Sequence, residues 1–329
     1  MRELVRTNNV VLISAIEALL KGAEIPHAVL DRHMSVLEGS LGMLPRRIVF
    51  DDEHHDEAQQ LLRDAGLAHE LRLDPGVTET TDDAILGGRL RLKQMRRGHR
   101  VGHDAILLAA ATDARAGDHA VDLGAGVGAA GLALAVRVPD VTATLVEIDP
   151  ILTDIATANI AANGLAERVR AVTLDVAAVP EDFAAARIDP GSTDHVLMNP
   201  PFHDAGRQSV SSDPGRATAH AAPPASLAVW IRTAGRLLHS AGTLTMIWRA
   251  DRLAEALAVL GPELGGIAIL PVHGRAGDPA IRIVLRSAKG SRAPLTLLPG
   301  LNLNDTAGKP TDEAEAVLRH AQPLRLTTS

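Results

Sequence analysis

The sequence predicts an α/β protein: a small α+β domain followed by a Rossmann-like, doubly wound parallel sheet that ends in an antiparallel hairpin. Strand-like runs alternate with helical patterns from about residue 118 onward, and a glycine-rich loop follows the first of these strands. Such alternation is typical of a parallel sheet with helices on both faces. Two later strand-like runs follow each other without an intervening helix, which predicts the hairpin.

The first domain is expected to span residues 1–70 as a β-α-β-β-α unit with a ferredoxin-like order of elements. Its strands are predicted near residues 2–6, 26–30 and 46–50, and its helices at 9–22 and about 53–66. Gly22 and Gly66 suit the two helix ends, because glycine readily adopts the left-handed conformation that closes many helices. The turn sequence Asp74-Pro75-Gly76 then marks the boundary to a second domain, expected at residues 71–329.

The second domain contains the alternating elements. Its strands are predicted near residues 119–123, 142–147, 169–174, 193–198 and 242–248, and its helices near 128–137, 150–163, 224–239 and 250–260. The runs 266–272 and 280–286 should form the antiparallel hairpin at the edge of the sheet, joined by the turn-rich residues 273–279.

Composition excludes several kinds of chemistry. The chain has no cysteine, so disulfides, thiolate zinc sites, iron–sulfur clusters and thiol nucleophiles are excluded, and no metal is expected. Neither a signal peptide nor a run of about 18 apolar residues is present, which predicts a cytoplasmic protein without a membrane span. The net charge of −7 is concentrated in residues 1–70, where 12 acidic side chains occur with 7 Lys or Arg. The oligomeric state is left open.

A glycine loop follows the first strand of the second domain. Gly124, Gly126 and Gly128 let the backbone approach a ligand closely, and the helix that follows favours an anionic group at its N-terminus. The loop also matches a dinucleotide fingerprint through Gly131. Glu147, at the end of the next strand, would hold the ribose of NAD as well as that of S-adenosylmethionine. The loop alone therefore leaves a dehydrogenase and a methyltransferase open.

Two further acids favour S-adenosylmethionine. Asp122 precedes the first glycine, where it could face the amine of a methionine moiety, and Asp175 follows the third strand, where it could accept a hydrogen bond from an adenine amine. The alternative is that Asp122 caps the loop and that Asp175 caps the next helix.

The fourth strand ends in Asn199-Pro200-Pro201-Phe202, at the edge of a parallel sheet where ligands bind. This motif predicts a pocket for a conjugated amine. Asn199 Oδ1 and the Pro200 carbonyl oxygen can accept hydrogen bonds from an –NH₂ group and localise its lone pair, while the prolines stiffen the turn. Phe202 can stack on a flipped-out base. The alternative is an ordinary proline-rich turn after a core strand.

A basic run lies before the glycine loop. Residues 89–100 contain six Lys or Arg side chains and no acid, and their alternation with leucine suits a strand with one basic face. We expect these side chains to contact RNA phosphates, although a solvated surface is the alternative. The expected RNA-binding residues are Arg89, Arg91, Lys93, Arg96, Arg97 and Arg100.

Together, the Asn-Pro-Pro-Phe motif and the glycine loop resemble the amine-directed class I methyltransferases that use S-adenosylmethionine. Residues 100–108, 81–92 and 216–220 look like segments of the bacterial tRNA1(Val) adenine-N6 methyltransferases. The resemblance covers roughly residues 80–325 and implies that Gly102, His103 and Asp104 border the cofactor, as does Asn199. The family often has Tyr where this chain has Phe202, which preserves stacking.

The resemblance implies methylation of adenine N6 in RNA, most simply in tRNA near the anticodon, with S-adenosylmethionine as cofactor. Two alternatives remain open. One is a glutamine-N5 methyltransferase acting on a release factor or ribosomal protein, and the other is a non-catalytic module that senses the cofactor or binds RNA. Residues 1–70 resemble a small bacterial domain described as signal-transducing, for which we infer no chemistry.

Overall fold

The structure is a computed structural model. It describes residues 2–7, 10–23, 25–30, 46–50, 54–65, 67, 80–96, 100–201 and 226–326. These residues belong to two compact units, one within residues 1–78 and the other within 79–203 and 223–329. Phe202, Arg97 and the expected domain boundary at residue 70 lie outside the described residues, as do residues 216–220 of the family resemblance.

The first unit has the predicted order of elements. It contains β1 (Arg2–Thr7), α1 (Val10–Gly22), β2 (His27–Leu30), β3 (Arg46–Phe50) and α2 (His55–Asp64). Strand β3 lies between β1 and β2 and is antiparallel to both, as in a ferredoxin-like split β-α-β unit. Buried aliphatic side chains of both helices, including Ile16 and Leu62, pack with Phe50 of the sheet. The predicted α+β class is confirmed.

The second unit contains the predicted alternation of strands and helices. Its first elements are β4 (Thr80–Ile85), β5 (Leu90–Met95) and α3 (His103–Ala111). The central elements are β6 (His119–Leu123), α4 (Ala129–Arg137), β7 (Thr142–Glu147), α5 (Pro150–Ala162), β8 (Val169–Thr173), α6 (Pro180–Ala185), β9 (Thr193–Met198), α7 (Leu227–Leu237), β10 (Leu238–Arg249) and α8 (Leu253–Val259). The last are β11 (Leu264–His273), β12 (Ala280–Lys289), β13 (Thr296–Leu297), β14 (Leu301–Asn302) and α9 (Asp312–Leu318).

The large sheet has the order β13-β11-β12-β10-β9-β6-β7-β8, with β14 also paired to β11. Strands β6 to β10 are parallel, and β12 is antiparallel to both of its neighbours, β10 and β11. The doubly wound sheet and its hairpin are therefore confirmed. The hairpin is not at the edge of the sheet, however, because the short strands β13 and β14 pair with the outer side of β11.

Some element bounds differ from those expected. Helix α7 ends at Leu237 and β10 begins at once, with an irregularity in its pairing to β9 between Leu238 and Thr243. The expected helix over 250–260 begins as a 3-10 turn, and regular α-helix starts at Leu253. Where local capping is strong, the bounds agree: Asp149 accepts a hydrogen bond from Ile151 N and Pro150 occupies the first turn, which starts α5 as predicted.

Candidate active site

The glycine loop between β6 and α4 is tied to the end of β7. The backbone N–H groups of Gly124 and Ala125 both donate to the carbonyl oxygen of Val146, at 2.8 and 3.0 Å. Gly124 has a φ of +69°, and a Cβ there would lie 2.4 Å from the Trp230 ring. Trp230 is 7% exposed and comes from α7. Its ring therefore fixes the position of the first turn of the loop, a role that the sequence did not reveal.

Gly126 and Glu147 form the open side of the loop. Among the described residues, a Cβ on Gly126 would meet no atom within 4 Å, so the backbone is open on that side. Glu147 is 8% exposed; its Oε2 accepts from Gly126 N at 2.8 Å and its Oε1 from Asp149 N at 3.0 Å. Each carboxylate oxygen retains a second lone pair for a ligand hydroxyl. The predicted ribose-binding residue thus also orders the loop.

Asp122 lies beneath the loop. Its Oδ2 accepts from Gly131 N at 2.8 Å in the first turns of α4. Burial raises the pKa of the Asp122 carboxyl to about 7; the hydrogen bond from Gly131 N opposes this shift, and the charge of Glu147 adds to it. This contact supports the alternative in which Asp122 caps the loop. A contact to a methionine amine stays a prediction.

Asp175 lies two residues beyond the end of β8. Its Oδ1 accepts from Ala177 N at 2.8 Å, which closes the turn that follows the strand. The same edge of the sheet presents Ile148, which follows Glu147 and is 59% exposed. An apolar wall between two carboxylates suits an adenine ring with polar groups at either end. Sequence reasoning missed Ile148, although an isoleucine directly after Glu147 at the end of β7 could have indicated an apolar contact for the ligand.

Asn199 is brought next to the glycine loop by the strand register. Leu123 of β6 pairs with Met198 of β9, so Gly124 and Asn199 leave neighbouring strands side by side. The Oδ1 atom of Asn199 is buried and has no hydrogen-bond partner among the described residues. Pro200 is buried, whereas Pro201 is exposed. A buried acceptor without a partner is unfavourable unless a ligand donor satisfies it.

Gly102, His103 and Asp104 form the start of α3. Gly102 is the N-cap residue, and Asp104 Oδ2 lies 3.0 Å from Arg282 Nε of β12. Arg282 is opposite Arg249, the last residue of β10. The ion pair therefore places the start of α3 at the same edge of the sheet as Asn199. Contacts of these three residues to a cofactor stay predictions.

The basic run forms the predicted strand, β5. Its leucines Leu90 and Leu92 are buried, while Arg91 and Lys93 alternate with them and are exposed. Arg89 precedes the strand and donates to the His320 carbonyl oxygen at 3.2 Å. Two residues lie elsewhere: Arg100 forms an ion pair of 2.7 Å with Asp83 of β4, and Arg96 follows the strand in a bend. The structure thus groups Arg89, Arg91 and Lys93, which we call the basic face.

The outer side of β5 is held by two asparagines, Asn159 in the last turns of α5 and Asn163 at its C-cap. Asn159 accepts from Lys93 N at 2.7 Å through Oδ1 and donates to Lys93 O at 3.0 Å through Nδ2. Asn163 makes the same pair of bonds to Arg91, at 2.9 and 2.7 Å. The main chain of the basic face is therefore fixed on both sides, by β4 and by these amides.

In the described part of the chain, every helix is too short or too polar to cross a lipid bilayer. The His, Cys, Asp and Glu side chains of the described residues form no group of three or more that suits a metal ion.

Fold and site together define a class. Three features are typical of S-adenosylmethionine-dependent methyltransferases and occur together here. They are the antiparallel strand β12 between β10 and β11 of a parallel sheet, a glycine loop after the first strand of that sheet, and an acidic residue at the end of the second. The open side of the loop at Gly126 and the orphaned Asn199 oxygen fit such a cofactor with an amine beside it. Residues 99–269 match the family model described as "Methyltransferase small domain", and the chain belongs to that family. The dehydrogenase alternative is thereby set aside.

Several relatives match the same region. A tRNA1(Val) (adenine(37)-N6)-methyltransferase from Porphyromonas gingivalis is 32% identical over 160 residues, which cover 47% of this chain and 61% of the relative. The protein of that name from Shewanella amazonensis is 33% identical over 122 residues, 37% of this chain and 48% of the relative. The predicted family resemblance is confirmed, although the chain spans less than two thirds of these relatives' length.

Two further matches concern the fold and the first domain. The crystal structure of a predicted O-methyltransferase, protein Atu636 from Agrobacterium tumefaciens, has a TM-score of 0.58 and 28% identity, and covers 68% of this chain and 100% of that one. Residues 1–66 match a family described as "Putative prokaryotic signal transducing protein".

Proposed function

We propose that this chain transfers a methyl group from S-adenosylmethionine to the N6 amine of an adenine in RNA, with tRNA near the anticodon as the substrate. The names of its relatives from Porphyromonas and Shewanella support this choice. A tRNA substrate also agrees with the expected cytoplasmic location. The single observation that carries the proposal is the buried Oδ1 of Asn199, which has no partner among the described residues and lies beside Gly124.

The buried acceptor explains why an amine is the target. The cofactor supplies an electrophilic methyl group when it is bound. The adenine amine is a weak nucleophile because its lone pair is delocalised into the ring. Asn199 Oδ1 and the Pro200 carbonyl oxygen would each accept one N–H, which favours a tetrahedral nitrogen with a localised pair. Both acceptors follow a buried strand, so they are already oriented before the substrate binds.

The remaining predicted residues have supporting roles. Glu147 and Asp175 would hold the ribose and adenine of the cofactor, with Ile148 against the ring. Phe202 would stack on the target base, which contributes about 1–3 kcal/mol in single-strand binding. The basic face would bind phosphates and make substrate affinity depend on salt. Its exposed Arg91 and Lys93 project from a strand that is fixed on both sides.

The test is mass spectrometry of nucleosides from tRNA incubated with the full chain and labelled cofactor. N6-methyladenosine should appear with the wild type. Asn199→Ala should reduce turnover by more than about 100-fold, the usual scale for one transition-state hydrogen bond. Its affinity for S-adenosylmethionine should stay within about twofold, since a factor of two is only about 0.4 kcal/mol. Asn199→Asp keeps an acceptor oxygen and should retain more activity than the alanine variant.

The alternatives give different results in the same assay. Label transferred to a release factor or ribosomal protein, but not to tRNA, would identify a glutamine methyltransferase. Cofactor binding with no methyl acceptor of either kind, and with Asn199→Ala indistinguishable from wild type, would indicate a non-catalytic module.

A further inference from the structure

We propose that a cavity beside the start of α3 binds an unpaired nucleobase that neighbours the methylated adenine in the RNA. The inference rests on the proposed function and adds a second contact site for the same substrate. The cavity has a volume of about 460 Å³, within the range of small-molecule sites. Its lining residues come from β4, the turn after it, α3 and the segment around α9. They include neither Glu147 nor Asn199, and His103 is the one lining residue that is also expected to border the cofactor.

The cavity lies at the same edge of the sheet as the candidate active site. Strand β14 pairs with the last residues of β11, where Asn302 is opposite His273. Because β11 and β10 are each antiparallel to β12, they run in the same direction and end at the same edge. Leu303 and Asn304 follow β14 directly and line the cavity. A single extended strand of RNA could therefore present bases to both places.

The lining suits a planar heterocycle. Apolar side chains form the walls: Ile85, Leu86, Ile106, Leu303 and Leu318. His103 is exposed and also lines the cavity, which offers a ring for stacking in a chain without tyrosine. Asn304 donates through Nδ2 to the Gly274 carbonyl oxygen at 2.7 Å, so its Oδ1 is the atom left to accept a hydrogen bond from a base.

The cavity lining contains one acidic side chain, Glu315, and one basic side chain, Arg319, so contacts to phosphate would come from Arg319 and from the basic face outside the cavity. Arg319 lines it and forms an exposed pair with Glu315, with 3.1 Å between Nε and Oε2. That pair uses Nε, so the outer guanidinium nitrogens can meet a phosphate. The basic face lies next to Arg319, because Arg89 of that face donates to the carbonyl oxygen of His320, the residue after Arg319. A backbone that follows the basic face would thus pass the mouth of the cavity.

The test compares two leucines on helices of equal length. Leu318→Trp on α9 places a larger side chain in the cavity, whereas Leu257→Trp on α8 changes an equally half-buried leucine that does not line it. Methyl transfer to tRNA is measured for both, with thermal unfolding as the check on folding. Leu318→Trp should raise KM for tRNA about tenfold, the factor that matches about 1.4 kcal/mol. KM for S-adenosylmethionine should be unchanged, and Leu257→Trp should resemble the wild type.

A second variant keeps the test decisive if Leu318→Trp fails to fold. Arg319→Glu changes an exposed side chain and should also raise KM for tRNA, with a weaker dependence on salt. Photo-crosslinking of tRNA that contains 4-thiouridine should attach RNA to peptides carrying residues 303–304 or 314–319. If tRNA is methylated while both variants keep the wild-type KM and no such crosslink forms, the cavity inference is wrong and the proposed function stands. If the wild type methylates no RNA, both fall together.

Discussion

The two edges of the large sheet both carry paired polar side chains, but only the carboxyl edge combines them with a buried acceptor beside the open side of the glycine loop. At the amino edge, His195 lies 2.9 Å from Asp118 Oδ2 and 2.8 Å from Thr243 Oγ1, so both of its ring nitrogens are used. At the carboxyl edge, Asn199 Oδ1 has no partner among the described residues and Gly126 is open on one side. Paired groups contribute to stability, whereas a buried unpaired one points to a ligand.

The largest expected effect is a loss of activity at the carboxyl edge, compared with a loss of stability at the amino edge. Asn199→Ala should lose methyl transfer by more than about 100-fold without loss of thermal stability, since it removes an unsatisfied acceptor. His195→Ala should do the reverse: kcat stays near wild type, and the free energy of unfolding falls by about 2 kcal/mol because the buried Thr243 hydroxyl loses its bond to His195. Chemical denaturation and steady-state kinetics on both variants would check this. Equal losses of activity in the two variants would remove the contrast.

The next effect concerns Gly124. Gly124→Ala should reduce the free energy of unfolding by about 3 kcal/mol, because it adds a clash with Trp230 to a strained positive φ. Affinity for S-adenosylmethionine should weaken as well. Trp230→Leu in the same chain should recover part of both losses by relieving the clash. Calorimetry on the single and double variants measures the coupling, and full additivity would show that the ring does not set the loop.

A further effect should depend on pH. Burial raises the pKa of Asp122 from its ordinary value of 3.8 to about 7 in the folded protein. Between pH 3.8 and about pH 7 the folded state therefore holds a proton that the unfolded state has lost. Its unfolding free energy should therefore fall as pH rises from about 4 to about 7. Asp122→Asn keeps an acceptor for Gly131 N and removes this titration. Between about pH 4 and about pH 8 the wild type should lose about 4 kcal/mol that the variant keeps, because the pKa of Asp122 rises from 3.8 to about 7 on folding; identical pH profiles would contradict the assignment.

The smallest effect is at the amino edge. The hydrogen bond to Asp194 raises the pKa of His239, so the stabilisation is complete below the unfolded value of 6.5 and is lost as pH rises through the higher folded value. His239→Gln should therefore destabilise the protein more at about pH 6 than at about pH 8.5, by less than about 1 kcal/mol because the pair is partly exposed. Denaturant titrations at the two pH values test this, and a larger loss at the higher pH would reverse the sign.

Periodicity predicted most of the long elements but not α3, whose residues 106–111 are all buried and therefore show no polar face. The five parallel strands and the hairpin follow continuous apolar runs, and their bounds agree with the structure to within a few residues. The C-terminal elements were missed because β13 and β14 have two residues each and α9 has seven, too few for a pattern to develop. Helix α6 was not predicted for the same reason, because it has only six residues.

The candidate site was predictable where chemistry coincides with a strand end. Glu147 and Asn199 stand at such ends, and the parallel register brings both to the glycine loop. Trp230 could not be predicted, because its contact with Gly124 depends on how α7 packs against the sheet and leaves no local pattern. For Asp122 the sequence left a cap of the loop and a contact to the methionine amine open, and the hydrogen bond from Gly131 N, which depends on tertiary packing, supports the cap.

The paired amides of Asn159 and Asn163 have a consequence for solubility. A two-stranded ribbon normally exposes a row of free main-chain donors and acceptors, which can recruit a strand from another molecule and seed aggregation. Here each amide imitates a peptide group of the missing neighbour, at distances of 2.7 to 3.0 Å. The ribbon can therefore display its cations to a polyanion without offering the outer backbone edge of β5 to a second copy of the chain.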